Sequence, residues 1–143
     1  MNILEISAVQ AQSVTAGDYL VFDTTNLKRG FAIHHVDGSN NIHISHKGIY
    51  IVTFNADVVP VGAGEITIAL EVNGVPVNSA TFTGVAGIGE NIAFAFPVNV
   101  LKSCECIDNR ANLKLSVSAD ATVTNAHIMV NRTTVKPHNR TIA

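Results

Sequence analysis

Apolar and polar residues alternate along most of this chain in short runs, and turn-forming residues separate the runs. In Ala111–Ala119, Leu113, Leu115 and Val117 fall on one side, and Asn112, Lys114, Ser116 and Ser118 on the other. In Val123–Arg132, Ala126, Ile128 and Val130 oppose Asn125, His127, Met129 and Asn131. Successive side chains of a strand point to opposite faces, so a period of two marks strands with one wet face. No segment longer than two turns favours helical spacing. The pattern predicts strands over Ile3–Val9, Tyr19–Asp23, Phe31–His35, Asn41–Ser45, Gly48–Val59, Glu65–Val72, Val75–Thr83, Asn91–Val100, Ala111–Ala119 and Val123–Arg132. Many short strands with turns between them spell a sandwich or a barrel.

The turns have identifiable chemistry. Asp37-Gly38 joins two short strands, and Asn73-Gly74 separates Ile66–Val72 from Val75. Asp-Gly and Asn-Gly are the strongest short hairpin signals, because both accept the positive φ of a tight turn. Pro76 directly after the second turn, and Pro97 inside Asn91–Val100, each predict an edge strand or an irregular position. Val61–Gly64 and Gly84–Gly89 are uncharged, glycine-rich loops.

Two strands break the alternation. Ile49–Val59 and Ile92–Phe96 carry apolar residues on both faces, with Phe94 and Phe96 sharing one side and Ala93 and Ala95 the other. In an antiparallel fold such strands are covered twice, by the opposite sheet and by a loop or a neighbouring subunit. Composition points the same way. Of 143 residues 47% are hydrophobic and only 14% charged, against about 25% charged in an ordinary soluble domain. Asn, Thr and Ser make up part of the deficit. A subunit interface accounts for the rest, since obligate interfaces lose their charges; the alternative is a neutral monomeric sandwich.

Charge and hydropathy also exclude classes. The net charge is −2 and no Lys/Arg cluster could track a phosphate backbone, so no nucleic-acid partner is expected. No apolar run approaches the ~20 residues of a membrane helix, and no membrane partner is expected. Met1-Asn2-Ile3-Leu4-Glu5 lacks the basic and apolar regions of a secretory leader. Cys104-Glu105-Cys106 would place two thiols about 7 Å apart on one strand face, too far for an unstrained bridge. Two reduced thiols beside a loop are expected there, with a redox or metal role as the alternative.

Four segments together carry a family likeness. Gly48-Ile49-Tyr50-Ile51-Val52-Thr53-Phe54 resembles the Gly-x-Tyr-x-Val-x-Phe core signature of the tumour-necrosis-factor-like superfamily, in particular its complement-type globular heads and their bacterial and phage relatives. Tyr19–Asp23 resembles the family's early strand, Ile68–Gly74 its strand ending in Asn-Gly, and Ala126–Arg132 its closing strand. The likeness spans roughly Asp18 to Arg132. It implies an all-β fold, a jelly-roll sandwich of about ten antiparallel strands that assembles as a homotrimer around apolar side chains. On that reading Tyr50, Phe54, Phe94 and Phe96 are candidate trimer-interface residues; for Tyr50 and Phe54 the competing placement is the monomer's own core. The chain departs from animal members, which follow a secretion signal and a collagen stalk or membrane anchor. No set of acidic residues matches the calcium loops of the complement-type heads, so that role is not carried over.

Candidate chemistry is sparse. His34-His35 and His43-x-x-His46 flank the Asp37-Gly38 turn, and His35, His43 and Asp37 could meet across a hairpin. Two imidazoles and a carboxylate can bind zinc; histidines on exposed strands are more often simply solvated, and no metal or other cofactor is assigned. No nucleophile motif occurs, no carboxylate pair is marked by spacing, and Gly84–Gly89 lacks the Lys-Ser/Thr and helix of a phosphate loop, so no catalytic residue is assigned and no enzyme is expected. The Asn131-Arg132-Thr133 and Asn139-Arg140-Thr141 triplets match the glycosylation pattern by chance unless the chain is secreted.

The expectation is one jelly-roll domain over residues 1–132 and a polar C-terminal tail over 133–143. Its partners would be itself, as a homotrimer, and other virion proteins. The expected function is a non-enzymatic bacteriophage virion surface protein, a head decoration or head fibre, made in the host cytoplasm and located on the virion. Ile3 begins the first strand close to Met1, which favours direct docking over a stalk. The alternative is a receptor- or carbohydrate-binding module recognising a host-surface ligand through the loops that carry Gly62, Gly64, Gly84, Gly87 and Gly89. The absence of Trp and scarcity of Tyr weigh against a conventional sugar platform.

Overall fold

In this computed structural model, which describes residues 1–100 and 111–133, eleven strands form two antiparallel sheets. They are β1 (Ile3–Ala8), β2 (Gln12–Val14), β3 (Thr24–Arg29), β4 (Ile33–His34), β5 (Ile42–Ile44), β6 (Gly48–Pro60), β7 (Gly64–Val72), β8 (Val75–Gly84), β9 (Glu90–Val100), β10 (Ala111–Val117) and β11 (Ala121–Arg132). The first sheet runs β3-β1-β11-β6-β9, with β2 also paired to β11; the second runs β4-β5-β10-β7-β8. From β5 onward the chain changes sheet at every connection except the β7–β8 hairpin. That is the jelly-roll arrangement, in which neighbours in space are distant in sequence.

Alternation builds the core. Along β6, Tyr50, Val52, Phe54, Ala56, Val58 and Pro60 are buried, while Ile49, Ile51, Thr53, Asn55, Asp57 and Val59 are not. The buried set meets Leu4 and Ile6 of β1 and Ile128 and Val130 of β11 within the first sheet. Ile68, Leu70, Leu113 and Leu115 of the second sheet join the same cluster from the facing side. Burial of this apolar surface is the main driving force for the fold, at about 25 cal/mol per Å² removed from water.

The turns behave as their residues require. Asn73 and Gly74 both take positive φ (53° and 84°), closing the β7–β8 hairpin; two positive-φ residues suit the right-handed twist of the flanking strands. Pro76 then falls where the β7–β8 register shifts, in an edge strand. Pro97 stays within β9 because β9 is also an edge.

The strands differ from expectation in three places. Tyr19–Asp23 is not a strand: only Tyr19 and Phe22 form isolated bridges, to Ser116 and Ser39, while Leu20 and Phe22 turn inward to plug the sandwich. β2 and β3 lie where the sequence pattern predicts no strand. β3 is almost wholly exposed, so it lacks the buried, alternating side that reveals a strand in sequence. The hairpin after β4 pairs His34, not His35, with His43; the seven residues between the strands set that register and turn His35 to the other side. Cys104, Cys106 and the tail beyond Thr133 lie outside the described residues.

Candidate functional site

Tyr50 and Phe54 lie inside the chain's own core, each fully buried, which is the second of the two placements open to them. The Tyr50 hydroxyl donates to the His46 carbonyl oxygen at 2.8 Å, and burial pushes its pKa above the ordinary tyrosine value. Phe94 and Phe96 are different. They face the core side of β9 yet remain partly open, because β9 and β8 are the edge strands on one flank of the sandwich. Phe54, Phe94 and Phe96 form a continuous aromatic row, with ring centroids 5.3 and 5.6 Å apart. Phe82 and Ala80 of β8 pack beside them, also partly buried. An aromatic strip thus runs along an open flank.

The second feature is the outer face of the first sheet. Cross-strand register aligns Leu27, Glu5, Met129, Thr53 and Ala95 in one row, and Arg29, Ile3, Asn131, Ile51 and Pro97 in the next. A third row aligns Ser7, His127, Asn55 and Ala93. Charged and titratable groups (Arg29, Glu5, His127) stand on β3, β1 and β11, whereas the β6–β9 half of these rows is neutral. Asp57 sits at the end of this face. A register shift in β11 puts Asn125 at a φ of 54°. The Asn91 amide donates to Asp57 Oδ1 at 2.9 Å and Asn125 to Oδ2 at 3.3 Å. These bonds, Asn91's foremost, hold the Asp57 carboxyl below the usual range, so it stays ionised and satisfied.

The glycine-rich loops converge at one end of the sandwich. The Gly87 amide donates to the Pro60 carbonyl at 3.0 Å, and the Val61 amide to that of Asp120 at 3.1 Å. Gly62, Gly64, Gly87 and Gly89 are exposed, and Gly84 is buried against the Pro60 ring. Val61, Val85 and Ile88 are exposed there, making an apolar tip.

The histidine hairpin resolves into two environments. His34 and His43 stand side by side, ring centroids 5.9 Å apart, on the outer face of the second sheet. Partial desolvation, then the nearby Lys28 and His43, hold the His34 pKa below the ordinary value. The His35 ring is buried edge-on to Phe22, with Nε2 donating to the Ser39 carbonyl and Nδ1 3.9 Å from Asp37. Splitting His35 from His43 removes the geometry in which the two rings and Asp37 could meet around zinc. Among the described residues, no group of three or more His, Cys, Asp or Glu could hold a metal ion, and no helix is long and apolar enough to cross a membrane.

The fold is that of the tumour-necrosis-factor-like and complement-type jelly rolls. The structure is similar to murine APRIL at pH 5.0 (TM-score 0.69, 9% identity, over 91% of this chain and 98% of that one). It is equally similar to the globular domain of a zebrafish complement 1qA protein (TM-score 0.69, 10% identity, 95% and 100% covered). A more distant likeness joins it to the vertex protein P5 of phage PRD1 (TM-score 0.50, 14% identity, 93% and 97% covered). No protein-family model matches the sequence, and no curated protein sequence does either.

Proposed function

We propose that the domain is a non-enzymatic building block that closes into a homotrimer and serves on a bacteriophage virion surface, as a head decoration or head fibre. One observation carries the assembly: the flank formed by β8 and β9 has no charged residue over Val75–Gly84 or Asn91–Val100, and it adjoins the neutral half of the outer sheet face. An exposed, uncharged pair of edge strands is an association hazard in a monomer. A neighbour's sheet face laid over that flank would cover Phe94, Phe96 and Phe82. The five strands at about 4.8 Å spacing, paired over roughly eight residues at about 3.3 Å, give a face of about 600 Å². A stable contact buries about 800 Å² per partner, and a face of this size supplies most of one partner's share. Because the face and the flank are different surfaces, the contact is heterologous and repeats around a ring instead of pairing two copies. The resemblance in fold to the PRD1 vertex protein supports the virion reading.

The test is the solution mass by light scattering over a wide dilution range, for wild type and for Ala95→Glu. Ala95 is exposed in the single chain, so the substitution changes folding stability by only about 0.5 kcal/mol or less. In the trimer it would bury an unpaired carboxylate. The expected result is a three-chain mass for wild type and a one-chain mass for the variant. A wild-type monomer at all concentrations would sink the proposal.

A further inference from the structure

We propose that a groove around Tyr19, on the outer face of the second sheet, is a saccharide-binding site. The inference does not rest on the assembly reading, because the groove opens on the outer face of the second sheet, whereas self-association is assigned to the outer face of the first sheet and the β8–β9 edge.

The groove arises from how the edge of β10 is shared. β5 pairs with Ala111–Leu113, and the segment around Gly17–Leu20 takes over further along. There the Gly17 amide donates to the Val117 carbonyl, the Val117 amide to that of Asp18, and the Leu20 amide to that of Leu115. Between the two partners, at Lys114, a notch is left. It opens into a hollow of about 480 Å³ lined by Tyr19, Asn41, Asn73, Gly74, Asn112 and Lys114. A second hollow of about 400 Å³, lined in part by Gln12, Asp18, Val21 and Asn40, opens on the other side of Tyr19. Ligand sites typically span about 300–1,000 Å³.

Tyr19 is the ridge between the hollows, and it is held in place. Its hydroxyl donates to Glu71 Oε1 at 2.9 Å, and the Lys114 ammonium lies 4.9 Å from the ring centroid. The Glu71 hydrogen bond raises the phenol's pKa, so the ring stays neutral. Of these two hollows Lys114 lines the first, and Tyr19 lines both. The first hollow is otherwise walled by carboxamides. Asn112 Oδ1 accepts from Asn41 Nδ2 at 3.1 Å and lies 3.2 Å from His43 Nδ1. The Asn112 backbone amide donates to Asn73 Oδ1 at 2.8 Å. These bonds orient the amides without exhausting them. Asn41 Oδ1 is buried with no partner, an exception that calls for a reason. Among the described residues Lys114 makes no ion pair.

A wall of this kind suits one ligand chemistry. Each carboxamide offers a donor and an acceptor side by side, as neighbouring sugar hydroxyls do in return. An immobilised aromatic ring offers an apolar surface to the C–H face of a pyranose. A nucleic acid or polyanion would need a row of cations, and among the described residues lining the two hollows Lys114 is the one cation. Among the described residues no aliphatic residue lines the first hollow, which gives a purely apolar ligand little to bind.

The experiment is a printed glycan array of bacterial and animal cell-surface oligosaccharides probed with labelled wild type, Tyr19→Ala, Tyr19→Phe and Asn112→Ala. Bound glycans are then titrated in solution by saturation-transfer NMR, with Ala95→Glu alongside. We expect a defined set of glycans to bind. Their signal should fall at least tenfold in Tyr19→Ala and Asn112→Ala and persist in Tyr19→Phe, with unchanged circular dichroism. Ala95→Glu, if monomeric, should lose array avidity yet retain the solution signal, which separates failure of the groove from failure of assembly. If Tyr19→Ala misfolds, Asn112→Ala decides. Binding by no glycan, or binding that survives the Asn112 and Tyr19 substitutions, would overturn the proposal.

Discussion

Replacing Phe54 by alanine separates a core role from an interface role more sharply than any exposed substitution. Phe54 is fully buried on β6, opposite Ile128 on one side and Phe94 on the other, with its ring 5.3 Å from that of Phe94. Truncating a buried Phe costs about 3–5 kcal/mol, the transfer of the ring plus the cavity left behind. At roughly 0.05–0.15 kcal/mol per residue, a chain of 143 residues has about 7–21 kcal/mol in total. The loss is therefore a large fraction of the whole. At ~2–4 °C per kcal/mol for a domain of this size, the melting temperature falls by roughly 6–20 °C. The assay is thermal unfolding by circular dichroism at three protein concentrations spanning two orders of magnitude. A core residue acts within one chain, so the gap between wild type and Phe54→Ala should be the same at every concentration. Phe94→Ala should cost less at low concentration, where its ring is only partly buried, and more at high concentration, where a neighbour would cover it, so its deficit should change with dilution by mass action. A Phe54→Ala deficit under about 3 °C, or one that varies with dilution, would refute the core assignment and return the ring to an interface.

Two further outcomes follow from local geometry. A Cβ at Gly84 would stand 2.7 Å from Pro60 Cγ and 3.1 Å from Pro60 Cβ, so Gly84→Ala should cost about 1–3 kcal/mol by overpacking, read as a lower urea midpoint. Gly62→Ala meets nothing within 4 Å and should leave the midpoint unchanged or slightly raised; equal effects at both sites would remove the packing explanation. The depressed His34 pKa has a defined sign. The unfolded chain protonates this ring more readily than the folded one, so stability rises with pH in the window below the ordinary histidine value of 6.5 and levels off above it. His34→Asn should flatten that part of the profile; an unaltered slope would assign it to other groups.

Much of this architecture is legible in the chain because period-two patterning and turn chemistry are local. Asn73-Gly74 with Pro76, and the unbroken run from Gly48, need no knowledge of the rest of the fold. What local pattern leaves open is which side of a strand faces inward. Ile49, Ile51 and Val59 alternate with Tyr50, Val52, Phe54 and Val58, and both sets are apolar, so period two sorts them into two groups without choosing the core. The structure puts Tyr50 and Phe54 inside and Ile51 outside because β11 and β9 present Ile128 and Phe94 on that side. The Tyr19 groove is hidden for a related reason. Its walls come from the chain near residue 19, the approach to β5, the β7–β8 turn and β10, all far apart in sequence. A single tyrosine among asparagines gives no periodic signal. β3 escapes notice because a wholly exposed edge strand buries nothing that would mark it.

The treatment of sheet edges supports the proposal that a second copy covers the β8–β9 flank. An edge strand exposes unpaired backbone groups, and chains guard such edges with charge, brevity or distortion. On the opposite flank, β3 carries Lys28 and Arg29, and β4 is two residues long. On the near flank the strands are long, with ten residues in β8 and eleven in β9. Apart from Glu90 at the start of β9 they are uncharged, and Pro76 and Pro97 are their only interruptions. A chain that protects one flank with cations and leaves the other apolar and aromatic treats the two as different surfaces. Ile51, Thr53 and Met129 form a neutral field on the adjoining sheet face, and there the low overall charge is concentrated. The outer face of the second sheet keeps its Lys, Glu, His and Asn residues. In a closed ring the neutral field of each copy would meet the aromatic flank of the next, leaving the polar faces pointing outward, where a ligand could reach several at once and bind with avidity set by their spacing.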